Sequence, residues 1–323
     1  MQQCDVSVVI PAYNAEAFIV DALESIFRQT ILPKDVIVIN DGSTDKTHQV
    51  IQNWIATTNR SCPVHLLTQV NHGLPATRNI GIKRASGKWI ALLDADDIWE
   101  VSHLEQLLSA VHYMPTAIAA YGAGRLLVNG KVEALLYDDF WDNPSKKHGQ
   151  KIENTDCLAI DFRIFPRLIQ GNFIKPSSLM ISKSSAEDVG LFNEALRSAE
   201  DREFLVRLIR KGDFVYSPTP ITQYRWHDDN ATQGKHAKRN MENGLWALQV
   251  IRYNHSLNLN LAEKAICDAE VQSSTKEYLY LCSGGARHYL LGLKFIRLQF
   301  GILAMLNAVF FKHIWRCLFM AKN

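Results

Sequence analysis

The first hundred residues alternate, four times over, between a short apolar run and a longer amphipathic stretch. Val6-Ser7-Val8-Val9-Ile10 is a β-branched run stopped by Pro11. Residues 36–40 follow a turn at Pro33, residues 64–67 make the third run, and Trp89-Ile90-Ala91-Leu92-Leu93 the fourth. Between them, Phe18, Ile19, Ala22, Leu23, Ile26 and Phe27 recur at helical spacing over residues 15–28. Further helices are predicted over residues 46–56 and 75–85, the second opened by a proline suited to a first helical turn. Uniformly apolar runs this short suit strands buried on both faces. Their alternation with helices through short loops predicts a parallel sheet covered on both sides. Such sheets bind ligands at the carboxyl ends of their strands. Here that edge comprises residues 11–14, 41–45, 71–74 and 94–97.

The fourth strand end carries the densest chemistry, Asp94-Ala95-Asp96-Asp97. On an extended chain Asp94 and Asp96 point the same way, with the small Ala95 leaving the space between them open. Two converging carboxylates suit a hard divalent cation such as Mg²⁺ or Mn²⁺ that keeps positions open for substrate phosphates. The other use of acidic residues here is a cap or solvated turn before the helix predicted over residues 102–111. Asp41-Gly42 likewise reads either as a ligand contact or as a tight turn, with Asp45 capping the next helix.

At 323 residues the chain is long enough for two structural parts, and 47% hydrophobic with 21% charged residues is ordinary globular composition. The net charge of +2 argues against a nucleic-acid binder, but it is unevenly placed. After Glu277 there is no acidic residue, and Arg287, Lys294, Arg297, Lys312, Arg316 and Lys322 give +6, leaving −4 on the rest. Cys4, Cys62, Cys157, Cys267, Cys282 and Cys317 form no zinc-spaced cluster and read as reduced thiols. Met1-Gln2-Gln3-Cys4-Asp5 has no signal-peptide character, so a cytoplasmic protein is expected. Neither a G-x-G-x-x-G after the first strand nor a Walker lysine pattern is present, which excludes the usual dinucleotide and P-loop sites.

Taken together, V-S-V-V-I-P-A-Y-N, V-I-V-I-N-D-G-S-T-D, N-H-G-L-P-A-T-R-N-I-G and I-A-L-L-D-A-D-D resemble the family 2 glycosyltransferases, the inverting group with the GT-A fold. The resemblance continues through A-E-D-R-E-F-L-V-R-L at residues 199–208 and Y-R-W-H-D-D-N at residues 224–230. It implies an α/β, Rossmann-like nucleotide-sugar-binding domain with a mainly parallel sheet over residues 1–235. A helical region, residues 236–323, follows.

The resemblance also implies a UDP-sugar donor, a saccharide or lipid-linked acceptor, and Mn²⁺ or Mg²⁺. Pro11, Ala12, Tyr13 and Asn14 would wrap the base, and Asp41 would accept a hydrogen bond from the uracil N3–H. Arg78 would reach the donor phosphates or sugar, or else be solvated. Asp94 would contact ribose and Asp96 would hold the metal. Asp201 would be the catalytic base and Glu200 would orient the acceptor, with capping of a helix start as the plainer use of both. His227 would complete the metal shell or touch the diphosphate, or else be a surface histidine. A non-catalytic sugar-nucleotide-binding or membrane scaffold protein is the alternative on the same fold.

Residues 137–151 read as a surface loop on the acceptor side. The tail reads as helices over residues 241–255, 261–281 and 286–319. In the last of these, Lys294, Arg297, Lys312 and Arg316 form one polar stripe, and Leu293, Ile296, Phe300, Leu303, Phe310 and Phe311 fill the remainder. That is the profile of a helix lying in a membrane interface. With it, the resemblance implies bacterial-type surface polysaccharide or glycolipid assembly at the inner face of the membrane. Packing on the catalytic domain or at a homodimer contact is the other use of such a face.

Overall fold

A computed structural model describes residues 3–59, 61–228, 230, 236–283 and 286–308. The chain divides into two compact units, Met1–Asp228 and Asp229–Asn323.

The first unit is built on one sheet. Its strands are β1 (Val6–Ala12), β2 (Asp35–Asp41), β3 (Val64–Gln69), β4 (Trp89–Leu92), β5 (Ile98–Trp99), β6 (Ala119–Val128), β7 (Lys131–Leu136), β8 (Gln150–Lys151), β9 (Leu158–Ile160), β10 (Leu179–Ser182) and β11 (Phe214–Trp226). They lie in the order β3-β2-β1-β4-β10-β6-β11-β9-β8, with β5 on β11 and β7 on β6. β3, β2, β1 and β4 run parallel, as do β6 and β11, and β10 joins the two blocks antiparallel to both β4 and β6.

The helices are α1 (Ile19–Phe27), α2 (Thr47–Thr57), α3 (Leu74–Arg84), α4 (His103–Tyr113), α5 (Pro144–His148), α6 (Phe165–Gln170), α7 (Lys183–Asp188) and α8 (Glu200–Ile209). All seven side chains of β1 and of β2 are buried, which is why both strands read as continuous apolar runs. Ile19, Ala22, Leu23 and Ile26 of α1 join the same core. α3 lies close on β1 because Gly81 has no side chain: a Cβ there would meet a Val9 methyl at 2.2 Å.

Pro11 does not end the first strand. It pairs in register with Ile39, at a level where β4 has already stopped opposite Val9, so one side of β1 has no ladder left for the missing N–H to break. Residues 137–151 are likewise not a surface loop. They form a 3₁₀ turn over Tyr137–Trp141, then α5 and β8, and bury Asp138, Asn143 and Ser145. The anchor is tertiary: Tyr216 of β11 donates its hydroxyl to Asp138 Oδ2 at 2.6 Å.

The described residues of the second unit form the helices α9 (Ala237–Tyr253), α10 (Leu261–Cys282) and α11 (Ala286–Ala308) around a core of Leu245, Tyr278, Leu279, Cys282, Tyr289 and Ile296. Asn260 and Glu263 close a reciprocal capping box at the start of α10. α11 is broken at Gly301, whose φ of 85° lies in the left-handed region. The continuous helix expected over residues 286–319 is therefore interrupted, and Phe310, Phe311, Lys312 and Arg316 lie outside the described residues. Ile296 is fully buried, and Leu293 and Phe300 pack against the same core, so these three side chains of the expected apolar face are spent inside the unit. Among the described residues no helix is long and apolar enough to cross a membrane. Cys4 and Cys157 are free thiols.

Candidate active site

The strand ends at the carboxyl edge of the sheet are tied to one another before any ligand is considered. Asn14, with φ 49°, donates its N–H to Ser43 Oγ and accepts from the Thr44 N–H, which joins the β1 and β2 loops. Pro11 and Ala12 belong to β1, while Tyr13 beyond them is 52% exposed. Asp41, the last residue of β2, accepts from Gln69 Nε2 (2.8 Å) and from the backbone N–H groups of His72 and Gly73 (both 2.9 Å). Gly42 lets the chain turn with φ 68°, and a Cβ there would press on the Asn71 nitrogen at 2.7 Å. The carboxylate thus shapes the loop opening α3 and keeps one lone pair, on Oδ2, for a ring N–H. Asp45 caps α2 by accepting from the Thr47 N–H and hydroxyl.

Asp94, Ala95, Asp96 and Asp97 are not extended. They form a turn closed by the Asp97 N–H on the Asp94 carbonyl (3.1 Å), so Asp94 and Asp96 take different partners instead of sharing one. The cause is Asp97, which is buried and accepts from Ser177 Oγ (2.5 Å) and the Arg225 N–H (3.0 Å). Burial, together with the Asp96 and Asp94 charges, pushes the Asp97 pKa well above the usual carboxylate range.

Arg78 is 1% exposed, so it is not a solvated surface arginine. Its two arms donate to Asp94 Oδ1 and Glu200 Oε1, both at 2.7 Å. Burial opposes its charge, but the two carboxylates outweigh that and push its pKa further up. Glu200, also buried, is paired with Arg78. Burial and the Asp201 charge push the Glu200 pKa up, with Arg78 opposing them. Asp201 lies one residue further into α8, half-buried, with Oδ2 held by Asn172 Nδ2 at 2.6 Å.

His227 follows the end of β11, and its Nε2 lies 3.1 Å from Asp96 Oδ2. Arg225 clamps this strand end: its Nε donates to the Asp96 carbonyl, and its guanidinium both pairs with Asp21 and covers the Phe18 ring. Phe18 in turn packs against His227, with centroids 4.5 Å apart and the rings tilted by 30°. Among the described residues no three His, Cys, Asp or Glu side chains gather as a closed metal cage. The Asp96–His227 pair does fit a cation that takes its other ligands from substrate and water. Octahedral Mg²⁺ or Mn²⁺ with bonds of about 2.1 Å sets adjacent donor atoms about 3 Å apart.

Sequence reasoning missed Asn172, Ser177, Arg225 and Phe18. Their signal is partnership with a carboxylate or histidine far along the chain, and no local pattern carries it.

A mixed α/β sheet with acidic residues gathered at its carboxyl edge is the architecture of the GT-A glycosyltransferases, and the solved structures it resembles are of that kind. TarS of S. aureus in complex with UDP superposes with a TM-score of 0.58 at 19% identity, over 98% of this chain and 83% of that one. The mannosyltransferase PcManGT of Pyrobaculum calidifontis in complex with GDP-Man and Mn²⁺ gives 0.60 at 15% identity, over 94% and 78%. The profile described as Glycosyl transferase family 2 matches residues 7–165. An uncharacterized glycosyltransferase of Haemophilus influenzae is 30% identical over 266 residues, 80% of this chain and 76% of its own length. TuaG of Bacillus subtilis, described as a putative teichuronic acid biosynthesis glycosyltransferase, is 32% identical over 71% of this chain and 82% of its own. The chain belongs to glycosyl transferase family 2 and is a glycosyltransferase.

Proposed function

We propose that the protein is a metal-dependent inverting glycosyltransferase that moves a sugar from a UDP-sugar to an acceptor hydroxyl in cell-surface polysaccharide or glycolipid synthesis. The observation that carries this reading is the convergence of the Asp96–His227 pair, the Asp94–Arg78–Glu200 bridge and the Asn172-held Asp201 at one edge of the sheet. TarS, solved in complex with UDP, and TuaG, described as a putative teichuronic acid biosynthesis glycosyltransferase, support the donor and the setting.

The donor base lies against residues 11–14, with Asp41 accepting from the uracil N3–H, and Asp94 contacts ribose. Asp96 and His227 would hold a divalent cation, which would supply charge neutralisation to the leaving diphosphate. Asp201 takes the proton of the acceptor hydroxyl while that oxygen bonds to the anomeric carbon from the face opposite the diphosphate. The carbon–oxygen bond to phosphate breaks with its electron pair on UDP, so one displacement inverts the centre. Arg78 holds the ends of β4 and α8 together and thereby fixes the donor residues relative to the base.

Calorimetry with UDP tests the metal half. Binding should depend on Mn²⁺ in the wild type and lose that dependence in Asp96→Asn. Equal UDP affinity with and without the cation in the wild type would overturn it. Release of UDP from a panel of UDP-sugars then tests the donor class.

A further inference from the structure

Helix α11 presents two faces of different chemistry. Tyr289, Gly292, Leu293, Ile296 and Phe300 turn into the core shared with α10 and with Leu245 of α9. On the other side Leu290, Leu291 and Leu298 are 65%, 49% and 71% exposed, and Lys294 and Arg297 stand exposed between them. At 3.6 residues per turn these five positions span roughly 120° of the helix. The outward face therefore mixes leucines with cations.

We propose that this face of α11 docks on an anionic bilayer surface, with Leu290, Leu291 and Leu298 entering the interface and Lys294 and Arg297 meeting lipid phosphates. The partner is chosen by charge. From residue 278 onward the chain carries six Lys and Arg and no Asp or Glu, so nothing in that stretch of sequence offers the cations an anionic counterpart. A second copy of the chain would be a poor occupant, because a two-fold contact brings the same patch to itself and sets Lys294 and Arg297 against their own like charges. Lipid headgroups supply negative charge, and the acyl boundary beneath them accepts the leucines. The mode is interfacial, in keeping with the absence of a spanning helix among the described residues. It concerns the second unit alone and does not depend on the donor or acceptor assigned to the first.

The test is co-sedimentation of the full chain with vesicles of phosphatidylcholine alone or mixed with phosphatidylglycerol. The wild type should bind only the mixed vesicles, less so as salt rises. Lys294→Gln and Arg297→Gln should each weaken binding about fivefold. Leu290→Ser with Leu298→Ser should abolish it. All four side chains are exposed, and far-UV circular dichroism confirms that the variants stay folded. Binding that ignores phosphatidylglycerol, or no binding by the wild type, overturns the proposal. Variants that bind like the wild type overturn it too, because another surface then makes the contact. Conversion of a dimer to a monomer by the serine pair, with vesicle binding unchanged, would assign the face to a second copy instead.

Discussion

Asp201 and Glu200 are neighbours in sequence and opposites in environment. Glu200 is sealed against Arg78, while Asp201 is half-buried with one oxygen fixed by Asn172. A positioned carboxylate base is worth roughly 10²–10⁴ in rate. Asp201→Asn should therefore lower transfer by that factor and leave UDP-sugar binding near the wild-type value, as single-turnover kinetics and calorimetry would show. Asp201→Glu should recover little, because the added methylene displaces the oxygen from Asn172. Wild-type transfer by Asp201→Asn would move the base elsewhere. Glu200→Gln has a different signature. Arg78 is 1% exposed and would lose one of its two counter-charges, and breaking such a buried pair costs about 3–5 kcal/mol. Urea unfolding should show that loss, and unchanged stability would refute the bridge. The motifs D-A-D-D and A-E-D-R were legible as acidic sites. That Arg78 joins them was not, because residues 16 and 122 positions away meet it only in the folded sheet.

At the scale of elements, the strand–helix alternation of the first hundred residues was readable because each parallel strand is apolar on both faces. The segment over residues 137–151 was misread because its polarity is satisfied inside. Asp138 accepts from the Tyr216 hydroxyl, the Tyr121 and Ser145 hydroxyls bond at 2.6 Å, and Asn143 reaches the Tyr216 oxygen. Burial pushes the Asp138 pKa to about 6, with Asp139 adding to the rise and the Tyr216 hydrogen bond and Lys146 opposing it. A carboxyl raised above its ordinary 3.8 favours the folded state while it is protonated. Its contribution is full below about pH 4 and is lost as pH rises through about 6. Asp138→Asn has no proton to lose. Its melting temperature, measured against that of the wild type, should gain from pH 4 to pH 7. Buried His103, with its pKa pushed down to about 3, acts in the opposite sense but is common to both proteins and cancels. A difference that stays flat with pH would show that Asp138 is ionised throughout.

The whole molecule separates into a unit that holds the chemistry and a unit that holds the basic helix. Asp41, Arg78, Asp94, Asp96, Asp201 and His227 all precede residue 229, and the core of Val8, Ile10, Val36, Val38, Ala91, Met180 and Val215 that supports them lies in the same unit. Leu245, Tyr278, Leu279, Cys282 and Ile296 form a separate core in the other. A domain with its own continuous core folds on its own. A chain of residues 1–236, ending before α9, should therefore bind UDP with Mn²⁺ within about twofold of the full protein, a difference well under the 1.4 kcal/mol of a tenfold change in affinity. The same chain should lose all attachment to phosphatidylglycerol vesicles. Calorimetry and co-sedimentation read the two halves independently. If the shortened chain unfolds, the first unit draws stability from the second and the division fails. If it folds and still binds vesicles, the membrane contact belongs to the catalytic unit, and the leucine and cation face of α11 serves another purpose.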